Sequence, residues 1–178
     1  LDSKQVLEIF RQKTAPAFEV ALKLGASYAG QLEDYADVLH EFSENLGIAY
    51  QIRDDMDDLG EDAGDNELEQ MRPSVLLALA RERAKGDDRA VLDSLWSHEE
   101  LKDEAIHKIR TLAHELEADD KCMLLLETYK EAAVRSLADL DNANLKGLLR
   151  RVMGKIFNDL EIKGWCREFE MTQGLREE

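Results

Sequence analysis

The sequence predicts an all-α protein folded as a single helical bundle. The chain has only 2 prolines and 10 glycines in 178 residues and is rich in Ala, Leu, Glu and Lys, the composition of helices. Its apolar residues recur at three- and four-residue spacing along most of the length. No repeat, low-complexity tract or linker interrupts that pattern, so residues 1–178 read as one domain with a sizeable core.

The first segment sets Val6, Phe10, Lys13 and Ala17 on one stripe. Lys13 therefore continues an apolar face, which by itself describes a snorkelling lysine beside a helix bend. Pro16 removes the amide that would bond to Gln12 and clashes with that carbonyl, which predicts a kink or break just after Lys13 and Thr14. The chain opens at Leu1, without methionine, inside what reads as a helix, so a fragment of a longer chain is expected. Phe18 to Tyr28 form an apolar, small-residue helix with Leu22, Leu24, Gly25 and Ala26, and Gly30 marks a turn. A long helix starting near Asp34 runs to Leu59-Gly60.

Residues 61–66 are a polar, acidic, Gly-containing loop. Arg72-Pro73-Ser74 then opens a helix whose apolar face is Val75, Leu76, Leu79 and Ala80, with Gly86 as its stop. Arg72 stands at that entrance, either paired with the acidic loop or free to clamp a phosphate. Asp87 or Asp88 caps a short helix holding Val91, Leu92 and Leu95. Ser97-His98-Glu99-Glu100 matches a capping box for the next helix, with Leu101, Ala105, Ile109, Leu112 and Leu116 in a stripe. Lys121 to Leu140 repeats the pattern through Leu124, Leu125, Ala132 and Leu137. Asn142 or Asn144 caps a last helix through Leu148, Val152, Ile156 and Phe157, and residues 161–178 fray into charge. His40 lies on the aspartate face more than three turns before Asp54 and reads as a packing residue or one that supports a ligand, whereas His107 and His114 lack paired carboxylates at ligand spacing and read as surface or packing residues.

Charge narrows the function classes. With 39 acidic and 23 basic residues the net charge is −16, which argues against nucleic acid or an anionic membrane as partner. No apolar run reaches membrane-spanning length and no signal peptide is visible. Cys122 and Cys166 make no disulfide framework or metal spacing, which points to a reduced, cytoplasmic setting.

Four of the carboxylates crowd into five residues, at Asp54, Asp55, Asp57 and Asp58. At helical spacing Gln51, Asp54, Asp55 and Asp58 share one face, which Gly47 and Glu44 continue. Phe42, Leu46, Ala49, Arg53 and Met56 take the opposite face, and Arg53 is placed to pair with Asp57. Two carboxylates about 6 Å apart repel by about 3 kcal/mol at an effective dielectric of about 20. The stack is thus either a solvated acidic face or a site for a cation. Oxygen-only ligands of this kind suit Mg²⁺, which keeps several waters and completes its shell with substrate phosphate oxygens. An EF-hand does not fit: counting from Asp55, the fifth position is Leu59 and the twelfth is Asn66.

Lys13-Thr14-Ala15, then Leu24-Gly25-Ala26, then Gly47-x-x-Tyr50-Gln51-x-x-Asp54-Asp55-x-x-Asp58 together resemble the C-terminal half of the trans-isoprenyl diphosphate synthase (polyprenyl synthase) family. The resemblance is most specific over residues 10–80. It implies an isoprenoid synthase fold, a bundle around a deep apolar cavity with two aspartate-rich motifs facing across its mouth. It also implies Mg²⁺ as cofactor, and an allylic diphosphate and isopentenyl diphosphate as substrates. By position, Asp54 would bind metal, with Asp55 and Asp58 as metal ligands or water-holding neighbours. Lys13 would bind diphosphate, Thr14 and Gln51 would orient it or the developing cation, and Tyr50 would line the entrance. A homodimer follows from the resemblance alone.

The departures from the family matter as much. Met71-Arg72 replaces the usual Gly-Lys, so a forked guanidinium stands where a point charge is usual, and Arg72 becomes a candidate diphosphate ligand of changed geometry. The first aspartate-rich motif and the basic residues that hold isopentenyl diphosphate are absent from these residues. The 178 residues are therefore expected to hold half a site and to be inactive alone. The alternative is a non-catalytic partner subunit of the same fold, although such a subunit has little reason to keep the carboxylate stack. A head-to-head condensing enzyme, a terpene cyclase and a plain helical interaction module fit the motif set less well.

Overall fold

The computed structural model describes residues 1–58, 74–94 and 103–158, except the side chains of 103–106. Among the described residues the secondary structure is helical and contains no strand. The expected loop at 61–66, Arg72, the capping box at Ser97, Cys166 and the tail lie outside these residues.

Helix α1 (Ser3–Lys13) starts two residues into the chain and does not run on from Leu1. Asp2 and Gln5 form a reciprocal capping box there, with Asp2 Oδ1 accepting the Gln5 amide at 2.8 Å and Gln5 Oε1 accepting the Asp2 amide at 2.9 Å. The break expected at Pro16 is present. Thr14 ends α1 and Ala15 begins α2 (Ala15–Tyr28), with proline tolerated in the first turn. Helix α2 ends in a Schellman-type turn, where Gly30 takes φ 71° and the Gln31 amide bonds to Ala26 O at 2.9 Å.

Helix α3 (Leu32–Asp58) is the spine of the molecule and packs mainly against α2 and α7 (Ala118–Ser136). Ala15 lies against Gly47 and Glu19 bonds His40, so α2 runs back along α3. Helix α4 (Val75–Arg83) begins later than the sequence suggested, with Ser74 as its cap. Its buried surface is not the expected stripe: Leu77 and Ala78 are buried along with Val75, Leu76, Leu79 and Ala80. The first six residues of this helix are buried on every side, and its charged end, Arg81 to Arg83, reaches the surface. Helix α5 (Gly86–Ser94) starts at Gly86 itself, at φ 57°, so that glycine opens a helix and does not close α4. Helix α6 (Asp103–Glu115), α7, a 3-10 turn (Leu137–Asp139) and α8 (Ala143–Ile156) complete the bundle. Of the two candidates Asn142 and Asn144, Asn142 caps α8, accepting the Leu145 amide at 3.0 Å.

Two apolar clusters share α3 and α7. One gathers Val6, Phe10, Ile48, Ile52 and Leu92 with the α4 residues, and the other gathers Leu39, Phe42, Leu46, Leu137, Leu149 and Met153. Two expected core positions face outward: Leu124 is 68% exposed and Leu148 is 48% exposed, while Leu126 and Leu149 are buried. Helix α2 also leaves an apolar stripe uncovered at Val20, Leu24 and Tyr28. Among the described residues, no helix is long and apolar enough to cross a membrane.

Candidate active site

The site begins with a close approach of two backbones. A Cβ on Gly47 would lie 2.6 Å from Ala15 Cα and 2.8 Å from Ala15 N, so only glycine lets the start of α2 rest on α3 here. Gln51 follows one helical turn beyond Gly47, and Thr14 immediately precedes Ala15. The approach therefore brings Thr14 onto Gln51, whose Oε1 accepts the Thr14 hydroxyl at 2.8 Å. With that oxygen occupied, the Gln51 amide NH₂ is the group left to donate. Lys13, one residue away at the end of α1, is exposed. Arg11 reaches back to Glu44 at 3.4 Å and secures the end of α1 on the same face. The structure thus joins Thr14 to Gln51, a contact the sequence did not reveal, at a helix break that Pro16 made legible.

The three motif carboxylates part company. Asp54 and Asp58, one turn apart, are half-exposed, whereas Asp55 is buried at 8% exposure. The helix explains this. At about 100° per residue, Asp58 and Gln51 fall about 40° and 60° from Asp54, but Asp55 falls about 100° away, toward the buried Ile52. Asp55 Oδ2 accepts the backbone amides of Val75 at 2.6 Å and Leu76 at 3.2 Å. The Ser74 hydroxyl also hydrogen-bonds this carboxyl, while Ser74 Oγ accepts the Leu77 amide at 3.1 Å. Burial pushes the Asp55 carboxyl up to about 6, outweighing the lowering by Ser74, Leu76 and Val75. Behind it, burial pushes the Cys122 thiol up to about 12, with a further push from the Asp55 charge, so this cysteine is an inert core thiol.

On the other side of α3, Arg53 pairs with Asp57 at 3.6 Å, as expected from their spacing. The sequence did not reveal its other contacts. Its guanidinium stacks 5.1 Å from the Tyr50 ring and 5.7 Å from the Phe157 ring, and Nη1 donates to Ile156 O. Tyr50 meets Phe18 edge-on with ring centroids 5.9 Å apart. His40 is a surface residue paired with Glu19 at 3.0 Å, and His107 and His114 are exposed.

Asp54 and Asp58 offer hard carboxylate oxygens of the kind that suit Mg²⁺. Among the described residues no three His, Cys, Asp or Glu side chains are gathered as a ready metal cage.

An all-α bundle with this helix break, glycine contact and aspartate-rich helix defines the isoprenoid synthase class of fold, and solved structures agree. The chain superposes on a polyprenyl synthase from Roseobacter denitrificans with a TM-score of 0.77 and 26% identity, covering 88% of this chain and 52% of that one. It also superposes on a geranylgeranyl pyrophosphate synthase from Corynebacterium glutamicum, solved with isoprenyl diphosphate and magnesium. The TM-score there is 0.76 at 25% identity, with 87% of this chain and 46% of that one covered. Among characterised relatives, the geranylgeranyl diphosphate synthase of Sulfolobus acidocaldarius is 25% identical over 161 residues, covering 83% of this chain and 48% of that protein. An all-trans-nonaprenyl-diphosphate synthase of Rhodobacter capsulatus is 33% identical over 93 residues, covering 48% of this chain and 28% of the relative. The chain thus spans about half the length, or less, of the relatives it matches. The sequence model of the polyprenyl synthetase family matches residues 1–113. The chain belongs to the polyprenyl synthetase family.

Proposed function

We propose that this chain is the part of a prenyl-elongating transferase that carries the second aspartate-rich motif and the diphosphate side of the allylic site. The reaction assigned is condensation of an allylic diphosphate with isopentenyl diphosphate, in the cytoplasm and in a homodimer. The observation that carries the reading is the Thr14–Gln51 hydrogen bond beside half-exposed Asp54 and Asp58. It fixes a hydroxyl and an amide at the helix break one turn of α3 before Asp54, with exposed Lys13 next to Thr14 in the chain.

Asp54 and Asp58 would hold Mg²⁺, which when bound neutralises charge on the departing diphosphate. Lys13 contributes a fixed positive charge toward the same anion. Thr14 holds the Gln51 carbonyl oxygen, so the Gln51 NH₂ donates to a diphosphate oxygen in a fixed orientation. Tyr50, braced between Phe18 and Arg53, lines the entrance. Arg72 is assigned to the diphosphate through its place in the motif. The uncovered stripe of Val20, Leu24 and Tyr28 supports the same reading, because the remaining half of a bundle would bury it. Residues 1–178 are read as one domain completed by the first aspartate-rich motif, and as inactive without it.

The test is incorporation of labelled isopentenyl diphosphate with an allylic primer, catalysed by the natural polypeptide that contains these residues. Asp54→Ala is expected to cut turnover by at least about 100-fold. Near-wild-type turnover in that variant, or no turnover in the parent, would overturn the reading.

A further inference from the structure

We propose that Asp55 is a positioning residue and not a metal ligand: its carboxylate ties the acidic turn of α3 to the start of α4. The inference rests on the reading of Asp54 and Asp58 as the metal-binding pair. Three observations carry it. The first is burial, since Asp55 is 8% exposed, whereas a Mg²⁺ ion that keeps several waters calls for a carboxylate open to solvent. The second is occupancy. Oδ2 already accepts two backbone amides, from Val75 at 2.6 Å and Leu76 at 3.2 Å, and the Ser74 hydroxyl bonds the same group. These amides are unpaired donors of the first turn of α4, and charge-assisted bonds to them are strong. The third is direction: Asp55 is turned about 100° from Asp54, toward the core.

The consequence is a division of labour within Asp-Asp-x-x-Asp. With Asp55 anchored to α4, the last turn of α3 cannot rotate, so Asp54 and Asp58 stay on the side that Thr14 and Gln51 occupy. Ser74 completes the joint. Its hydroxyl hydrogen-bonds Asp55 and its oxygen accepts the Leu77 amide at 3.1 Å, so one serine links cap and tether. A carboxamide at position 55 would still offer a carbonyl oxygen to the Val75 and Leu76 amides, whereas an alanine would strand both donors in the core.

The experiment compares Asp55→Asn, Asp55→Ala and Asp54→Asn in the full chain. Manganous ion with inorganic pyrophosphate serves as the probe, read by loss of the free Mn²⁺ paramagnetic signal. Amide hydrogen exchange at Val75 and Leu76 is followed without metal. Asp54→Asn is expected to weaken Mn²⁺ binding by more than about tenfold with exchange unchanged, and Asp55→Asn to keep affinity within about threefold. Asp55→Ala should speed exchange at Val75 and Leu76 by at least about tenfold, and Asp55→Asn should restore protection. The proposal is overturned if Asp55→Asn loses as much Mn²⁺ affinity as Asp54→Asn, or if Asp55→Ala leaves both amides protected. A wild-type chain that binds no Mn²⁺ would sink the functional reading. The exchange comparison would still decide the tether: faster exchange in Asp55→Ala with rescue in Asp55→Asn supports it, and anything else overturns it.

Discussion

At Gly47 the absence of a side chain decides the geometry of the site, because an added methyl would meet the backbone of Ala15 at 2.6 Å. Backbone cannot swing aside as the end of a flexible side chain can, so α2 would have to move away from α3. Overpacking of this kind costs about 1–3 kcal/mol, and it would part Thr14 from Gln51. Gly25, in α2, has nothing within 4 Å of its would-be Cβ. There the only effect of alanine is backbone stiffening, a gain of about 0.5–1 kcal/mol in a helix interior. The two Gly→Ala variants should therefore shift the urea midpoint in opposite directions, down at 47 and up at 25. Equal shifts would show that the contact at Gly47 is slack. The sequence placed Gly47 on the acidic face, but the reason for the glycine lies 32 residues away, at Ala15, in a contact that no periodicity reports.

At the scale of elements, the junction of α6 and α7 offers a test with a definite sign. Glu117 joins them with φ 52°, a left-handed conformation for a non-glycine residue. Arg83 holds it by donating to Glu117 O and Oε2, both at 2.9 Å. Across the joint His114 Nδ1 meets Asp119 Oδ2 at 2.7 Å, and that hydrogen bond, with the Asp119 charge behind it, raises the His114 pKa above its ordinary value. A histidine raised on folding stabilises the native state fully below its unfolded pKa of about 6.5, and the contribution fades as pH rises through the folded value. Melting temperature should therefore fall slightly across that window at low salt. Asp119→Asn should flatten the profile, and high salt should do the same because the pair is exposed. A profile unchanged by Asp119→Asn would remove the pair from the account.

Elements of this kind were the readable part of the sequence. The breaks at Pro16 and Gly30 are governed by chemistry within a few residues, so their positions followed directly, and the start of α8 was narrowed to Asn142 or Asn144. What could not be read was which side of a helix its neighbours cover when apolar residues lie on more than one side. Helix α7 shows this: Leu124 and Met123 face out while Cys122 and Leu126 face in. The candidate site divides the same way. The face shared by Gln51, Asp54 and Asp58 follows from helix geometry, but the burial of Asp55 depends on amides 20 and 21 residues further on.

For the whole molecule, the two apolar clusters meet at Phe157, which packs against both and ends α8 beside the acidic turn of α3. Among the described residues two cations face this one ring, Arg53 and Lys130, each 5.7 Å from its centroid. Lys130 is buried at 9% exposure and paired with Glu127 at 2.9 Å, so the ring replaces part of the water its ammonium has lost. Arg53 carries the link onward to Ile156 O, Tyr50 and Asp57. In a chain of net charge −16, this is where positive charge steadies the most crowded carboxylates. Phe157→Leu keeps apolar contact with both clusters and removes only the ring face. It should cost about 0.5–1 kcal/mol for each stacking lost, and Phe157→Ala should cost more by adding a void. In a double-mutant cycle with Arg53→Met, Phe157→Leu should show a coupling of about 0.5–1 kcal/mol. Additive free energies in that cycle would mean that the ring and guanidinium merely lie side by side, and that the backbone bond to Ile156 alone ties α8 to the acidic turn.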